Sequence, residues 1–469
     1  MAISLQEPTV GPIVGHTDTR HCRVFFRGHA PRRQDLGRCF GAARCRTPGG
    51  AWGAPVVNKL SPNFDLTGVF VFSPLNAGTT YEYQVGWFLH EDDLEDLVID
   101  PADIQWDNAI TSRFRTAPAA ASTRSYIIGS CRYLLRLFGG SWFDDRGDKV
   151  FRSVLRQIDA TPSRPVDALV MMGDQVYADD LSALAPDKRL DQFLARYRTA
   201  FTQEHVRHLM ARVPTYMILD DHEIEDNWPA RASDADRLTL YPNAIHAYQI
   251  YQCSHGPLFS VTPEGRISGV LSHFWYTFGD AAADWFVMDT RTEREPAAGR
   301  MIGAVQMAAL INWLQDGSGR IKFIVSSVPM FPDMSSDSAD KWGAFPGQRK
   351  EILDVVFGQR IPNVVVLSGD VHTSFSCTLR EKGGDGFAMH SVVSSSFFWP
   401  YPHMSRGSFL FDQPLAHMGM KTLLAELRSS DCFGDDNFTR LDVSPNPPAL
   451  RVSVYERKGD VLEAGLRLF

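Results

Sequence analysis

The sequence predicts an α/β (α+β) protein in two parts. An antiparallel β-sandwich occupies residues 1–120, and an α/β sandwich with central β-sheets flanked by helices occupies residues 121–469. Three observations carry this. Up to Pro118 the chain shows short alternating runs broken by turns, the pattern of an antiparallel sandwich. Beyond it, apolar runs of about five residues alternate with longer stretches of helical spacing, which implies buried strands between helices. Between the two textures lies a small-residue linker, Ala117-Pro118-Ala119-Ala120-Ala121-Ser122. A chain of 469 residues is long enough for such a pair.

In the first part, Arg20–Gly28, Phe64–Phe72, Thr79–Trp87 and Ile110–Thr116 read as strands, and Pro74–Gly78 reads as a turn. The run Leu75-Asn76-Ala77-Gly78-Thr79-Thr80-Tyr81-Glu82-Tyr83 resembles a turn and strand of Ig/fibronectin III-like domains. The acidic run Glu91–Asp96 reads as a solvated loop. In the second part, strands are expected at Ser125–Ile128, Ala168–Met172, Thr215–Leu219, Trp285–Met288, Lys322–Val325 and Val364–Leu367. Helical spacing covers Asp148–Ile158, Leu190–Met210 and Arg349–Phe357. There is no internal repeat and no low-complexity tract.

Composition narrows the function. Lys and Arg number 47 against 55 Asp and Glu, a net charge of −8, so no broad nucleic-acid-binding surface is expected. No stretch approaches the roughly 20 apolar residues of a membrane span. The first residues, Met1-Ala2-Ile3-Ser4-Leu5-Gln6-Glu7-Pro8, lack the pattern of a signal peptide. The expected location is therefore cytoplasmic, or periplasmic or extracellular if a leader is missing from this chain. Seven cysteines with no C-x-x-C pair read as reduced thiols. A P-loop, a G-x-S-x-G elbow and an H-E-x-x-H helix are all absent.

The chemistry collects where strands end. Ser125–Ile128 runs into Gly129-Ser130-Cys131-Arg132, and Ala168–Met172 into Gly173-Asp174-Gln175-Val176-Tyr177-Ala178-Asp179-Asp180. Thr215–Leu219 runs into Asp220-Asp221-His222-Glu223, and Val364–Leu367 into Ser368-Gly369-Asp370-Val371-His372. In open α/β sheets, functional groups gather outside the carboxyl ends of the strands. Taken singly, each residue has an ordinary explanation: a turn aspartate, a buried thiol, a helix cap, a core histidine. Taken together, several buried carboxylates without cations would repel and take up protons. A multinuclear metal centre satisfies them. Asp174, Asp221, Asp370 and His372 are metal-ligand types, and Asp174 and Tyr177 could face one ion if the loop between them turns helically.

These segments resemble the motif set of PhoD-like (alkaline phosphatase D) metallophosphoesterases, relatives of the purple acid phosphatases. The resemblance extends through Asp226-Asn227-Trp228, Phe278-Gly279-Asp280, Met288-Asp289-Thr290-Arg291, Arg300–Gly303 with Gln306 and Trp313-Leu314, and Ser326-Ser327-Val328-Pro329. It implies a phosphoester hydrolase acting on phosphomonoesters or phosphodiesters, with a metal-bound hydroxide attacking in line. It implies Fe3+ held by Cys131, Asp174, Tyr177 and His372, with Asp174 bridging to a Ca2+ completed by Asp221 and Asp370. Zn2+, Mn2+ or Mg2+ could stand in place of either ion. His222 would stand beside the phosphate as a catalytic residue. Arg132 would be either a catalytic phosphate clamp or a structural ion pair. Ser326-Ser327-Val328-Pro329 lacks the imidazole that purple acid phosphatases carry at the comparable strand end, which points to an oxygen-rich second site. Phe397-Phe398-Trp399-Pro400-Tyr401 reads equally as a cleft lining or as a buried cluster. The competing function is a non-catalytic binding or structural protein whose metal centre only stabilises the fold.

Overall fold

The computed structural model describes residues 2–30, 37–93, 99–134, 136–137, 142–143, 145–161, 163–179, 187–262, 265–336, 339–419 and 422–469. Residues 94–96 of the expected acidic loop, and Asp180, lie outside the described residues.

The first part is a sandwich of two antiparallel sheets. One holds Val10–Thr17, Cys22–Arg27 and Thr67–Phe72; the other holds Val56–Lys59, Arg38–Arg46, Thr80–His90 and Ile110–Arg115, each in spatial order. Val14, Val24, Phe26 and Phe70 of the first sheet meet Ala43, Tyr83, Val85 and Phe114 of the second, all buried. Val10–Thr17, Arg38–Arg46 and Val56–Lys59 were not anticipated. Gly11-Pro12 and Gly41 blur the alternation in the first two, and the third is only four residues long.

The remainder stacks helix, sheet, sheet and helix. A six-stranded sheet runs Thr215–Met217, Ala168–Met171, Arg124–Gly129, Asn437–Pro445, Pro448–Glu456, Val461–Arg467. Its first three strands are parallel. A seven-stranded sheet runs Tyr276–Gly279, Ala283–Val287, Ile321–Ser326, Val364–Ser368, Ala388–Val393, Phe375–Glu381, Leu423–Leu427. Four of its central strands are parallel. Tyr126, Ile128 and Val170 pack against Trp285, Phe323, Val365 and Leu367 between the sheets. Helices Arg146–Ala160, Leu190–Phe201 and Glu204–Met210 cover the outer face of the first sheet. Ala304–Leu314 and Pro346–Gly358 cover the second. Because both faces of each parallel strand are covered, the strands read as continuous apolar runs. No helix among the described residues is long and apolar enough to cross a membrane.

One expected element is corrected. The stretch Leu190–Met210 is two helices, Leu190–Phe201 and Glu204–Met210. Asp148, on the neighbouring helix, accepts hydrogen bonds from the backbone N–H groups of His205 and Val206 at 2.8 and 2.9 Å. A carboxylate on those exposed N–H groups stabilises a fresh helix start there.

The sandwich is tied to the rest by a buried carboxylate. Asp65, in the sandwich, pairs with Arg27 at 3.2 Å and with Arg198 of the helical layer at 2.7 Å, and accepts from the Tyr251 hydroxyl at 2.5 Å. Removing it strands two guanidinium groups beside each other. Asp65→Ala is therefore expected to lower stability by about 2 kcal/mol, discounted because Arg198 is partly solvated. Chemical denaturation followed by tryptophan fluorescence reads this, and an unchanged midpoint would refute it.

Candidate metal centre

All the chemistry-bearing loops leave the carboxyl ends of strands, from both sheets, and so converge at one end of the stack. The chain makes this convergence through close backbone approaches. Gly173 has φ +103°, and a Cβ there would lie 2.5 Å from Asp220 Cβ. A Cβ on Gly369 would collide with the Ser130 side chain. Glycine before the aspartate, in Gly173-Asp174 and in Gly369-Asp370, is thus what lets neighbouring loops pack together. Cys131, Asp174, Asp370 and His372 themselves sit at positive φ (53°, 56°, 69° and 48°). Non-glycine residues in this region cost backbone energy and concentrate at functional sites.

The structure brings most of the expected residues together. Ligand atoms of Asp174, Asp221 and His222 lie within 4.8 Å of one another, and those of Asp220, Asp221 and Asp370 do the same. The Tyr177 hydroxyl donates to Asp174 Oδ2 at 3.2 Å. Its ring lies 4.3 Å from that of His222. Cys131 and His372 belong to neither of the two groupings. Cys131 Sγ instead lies 3.1 Å from Ser395 Oγ and 3.2 Å from Ser130 Oγ. His372 stacks on Trp399 at 3.7 Å with an interplanar angle of 14°. The Asp174 and Asp370 charges nevertheless reach Cys131, adding to the burial that raises its thiol well above the ordinary range.

Arg132 is placed elsewhere. Its side chain is fully buried, donates to the Ala200 carbonyl at 2.9 Å, and lies 3.7 Å from Asp148. These contacts match the structural ion pair, while Nε and Nη2 have no hydrogen-bond partner among the described residues. Burial lowers the guanidinium to about 10.

The electrostatics follow from burial. Asp174 is pushed well above the usual carboxylate range by desolvation and then by Asp220, Asp221 and Glu223. Asp370 is raised to about 8, by burial first. For Asp221 burial also pushes upward, but Arg291 and then His222 outweigh it and hold the group low. Burial drives His372 well below the ordinary histidine range, which leaves a neutral imidazole able to ligate. Asp174 Oδ1 and His372 Nε2 are buried with no hydrogen-bond partner among the described residues. Buried polar atoms are normally satisfied, so these two mark the place of a missing partner. Crowded carboxylates, a phenol, a thiol and a neutral imidazole together fit a cation.

Several residues of the site had no assigned role from sequence. Glu223 accepts N–H bonds from Asp174 (3.1 Å), Gln175 (2.6 Å) and Asp220 (3.0 Å), and from Gln252 Nε2 (3.2 Å). It staples the Asp174 loop to the Asp221 loop. Asp179 binds His222 Nδ1 at 2.8 Å, which leaves Nε2 as the nitrogen available to the cluster. Arg291 reaches Asp220 at 2.5 Å, Asp221 at 3.3 Å and Asp340 at 2.7 Å. Lys341 reaches Asp370 at 2.5 Å. Glu223, Asp179, Asp220 and Arg291 lie inside quoted motifs. Lys341 and Asp340 sit in a loop whose sequence carries no signal of them.

The chain is similar to several known proteins. The family profile described as PhoD-like phosphatase matches residues 137–405. Alkaline phosphatase D of Bacillus subtilis (strain 168) is 28% identical over 219 residues, which are 40% of this chain and 35% of that protein. The matched region thus spans about a third of that relative's length. A solved structure of PhoD superposes with TM-score 0.69 at 15% identity, covering 98% of this chain and 93% of its own. The purple acid phosphatase PPD1 from yellow lupin (Lupinus luteus) seeds superposes with TM-score 0.59 at 12% identity, covering 96% of this chain and 73% of its own.

Glu223→Gln replaces one acceptor oxygen by an NH2 that faces N–H donors. Cation affinity is expected to fall about 10–100-fold with the fold retained. Calorimetric titration of chelator-stripped protein measures this, and an unchanged affinity would contradict the stapling role.

Proposed function

The chain belongs to the PhoD-like phosphatase family, and on that premise we propose that it is a phosphoric ester hydrolase whose buried carboxylate cluster holds catalytic cations. The substrates are small phosphomonoesters or phosphodiesters. The observation that carries the reading is the pair of unpartnered buried atoms, Asp174 Oδ1 and His372 Nε2, beside a crowd of carboxylates.

Cys131, Asp174, Tyr177 and His372 would hold Fe3+, since thiolate and phenolate are strong anionic donors suited to a trivalent ion. Asp174, Asp221 and Asp370 offer hard oxygens to Ca2+. When bound, such a pair of ions neutralises charge on the phosphoryl oxygens and acidifies water near neutral pH.

The protein's own groups do the remaining work. Asp221 receives the Asn227 N–H at 2.6 Å, which fixes one carboxylate oxygen and leaves the other turned to Arg291 and the cluster. His222 is oriented through Nδ1 by Asp179. As an imidazolium it holds a proton at Nε2 for the leaving oxygen, and Asp179 is its counter-ion. Arg291 and Lys341 offset part of the cluster's negative charge, so an anionic ester is not repelled outright.

Asp174→Asn tests the reading. It is expected to lower hydrolysis of p-nitrophenyl phosphate and bis(p-nitrophenyl) phosphate by about a thousandfold or more, the scale of several kcal/mol of transition-state stabilisation. Elemental analysis should show the loss of bound metal alongside. Full turnover with metal retained would sink the proposal. On the identity of the trivalent ion, Tyr177→Phe is expected to remove a visible tyrosinate-to-iron absorption band from the purified protein. An active wild-type protein containing no iron would exclude that assignment.

A further inference from the structure

Beside the carboxylates the rings form a second array. The run Phe397-Phe398-Trp399-Pro400-Tyr401 divides by direction. Phe397 and Phe398 are buried, Trp399 is half-buried, and Tyr401 is 47% exposed. Trp399 lies flat against His372 at 3.7 Å. It also lies 6.0 Å from the Tyr177 ring and meets Tyr133 edge-on at 6.0 Å. Tyr401 meets Trp399 edge-on at 5.2 Å and Tyr133 at 6.3 Å. Two ring-to-ring steps therefore lead from an imidazole of the cation site to an exposed phenol ring.

A single exposed tyrosine is ordinary. One that meets Trp399 edge-on, with Trp399 in turn stacked on His372, is differently placed. A phosphoester bound at the carboxylate cluster carries its organic substituent a few ångströms from phosphorus, and Trp399 packs beside Tyr177, whose hydroxyl meets Asp174. Rings present a π-face to any planar group, and edge-to-face and offset stacking both favour aromatic partners over alkyl ones.

We propose that Trp399 and Tyr401 form a stacking shelf that selects phosphoesters bearing a planar aromatic substituent, either an aryl ring or a nucleobase. The inference rests on the reading of the adjacent cluster as a phosphoester-hydrolysing site. Tyr401 is a specificity-determining residue: it touches the substituent and takes no part in the bond-breaking step.

Binding can be read apart from turnover. Phenylphosphonate, ethylphosphonate and the 5′-phosphonate analogue of AMP are titrated calorimetrically into the purified full chain, with Tyr401→Ala and Tyr401→Phe beside it. Tyr401→Ala is expected to weaken phenylphosphonate about tenfold, the scale of one stacked ring, and to leave ethylphosphonate unchanged. Tyr401→Phe should keep the preference. An equal loss for the AMP analogue assigns nucleobase esters to the shelf, and a loss confined to phenylphosphonate assigns aryl esters. If Tyr401→Ala weakens all three alike, or none, the shelf is overturned. Ring selectivity in a protein that hydrolyses no phosphoester would overturn the hydrolase reading and leave the shelf standing. Hydrolysis with no ring selectivity would overturn the shelf alone.

Discussion

Carboxylates buried together in one place are the constraint on which this site depends. Asp174, Asp220, Asp221 and Glu223 are buried at the strand ends of two facing sheets, and Asp370 is half-buried beside them. Mutual repulsion and desolvation would drive them to take up protons. Protein cations answer only part of this. Arg291 pairs with Asp220 and Asp221, and Lys341 with Asp370, whereas Asp174 Oδ1 receives nothing among the described residues. Asp220 Oδ2 is likewise without a partner among the described residues, so the imbalance runs through both ligand groupings.

The fold serves that convergence. Loops that follow parallel strands of both facing sheets meet at the same end. Gly173 and Gly369 let these loops touch. Glu223 then locks two of them through their backbone N–H groups. A site built this way is held by backbone contacts within a rigid double layer, which keeps like charges close where flexible loops would let them drift apart.

Much of this was legible in sequence, for physical reasons. Strands buried on both faces are apolar runs, and the chemistry sits directly after them, so six core strands and four site loops could be found. What sequence hides is direction. Arg132 adjoins Cys131, yet the positive φ at Cys131 turns the chain, and the guanidinium goes to Ala200 and Asp148. Leu190–Met210 keeps helical spacing throughout, but Asp148 on another helix caps a second start within it. Glu223 was visible as a residue, and its role was not, because the N–H groups it receives belong to distant positions. The late strands, such as half-exposed Val461–Arg467, lack the apolar contrast that marks the core ones. Lys341 lies in a loop with no periodicity at all.

In the function proposed here, bound cations complete the buried cluster and hydrolysis depends on them. The most direct measurement is a reconstitution series. Chelator-stripped protein is reloaded stepwise with iron and calcium, and bound metal and phosphoester hydrolysis are measured on the same samples. Hydrolysis that is absent in stripped protein and rises in proportion to metal bound is the predicted result. Hydrolysis that persists in metal-free protein, or a fully loaded protein that hydrolyses no phosphoester, would contradict the account.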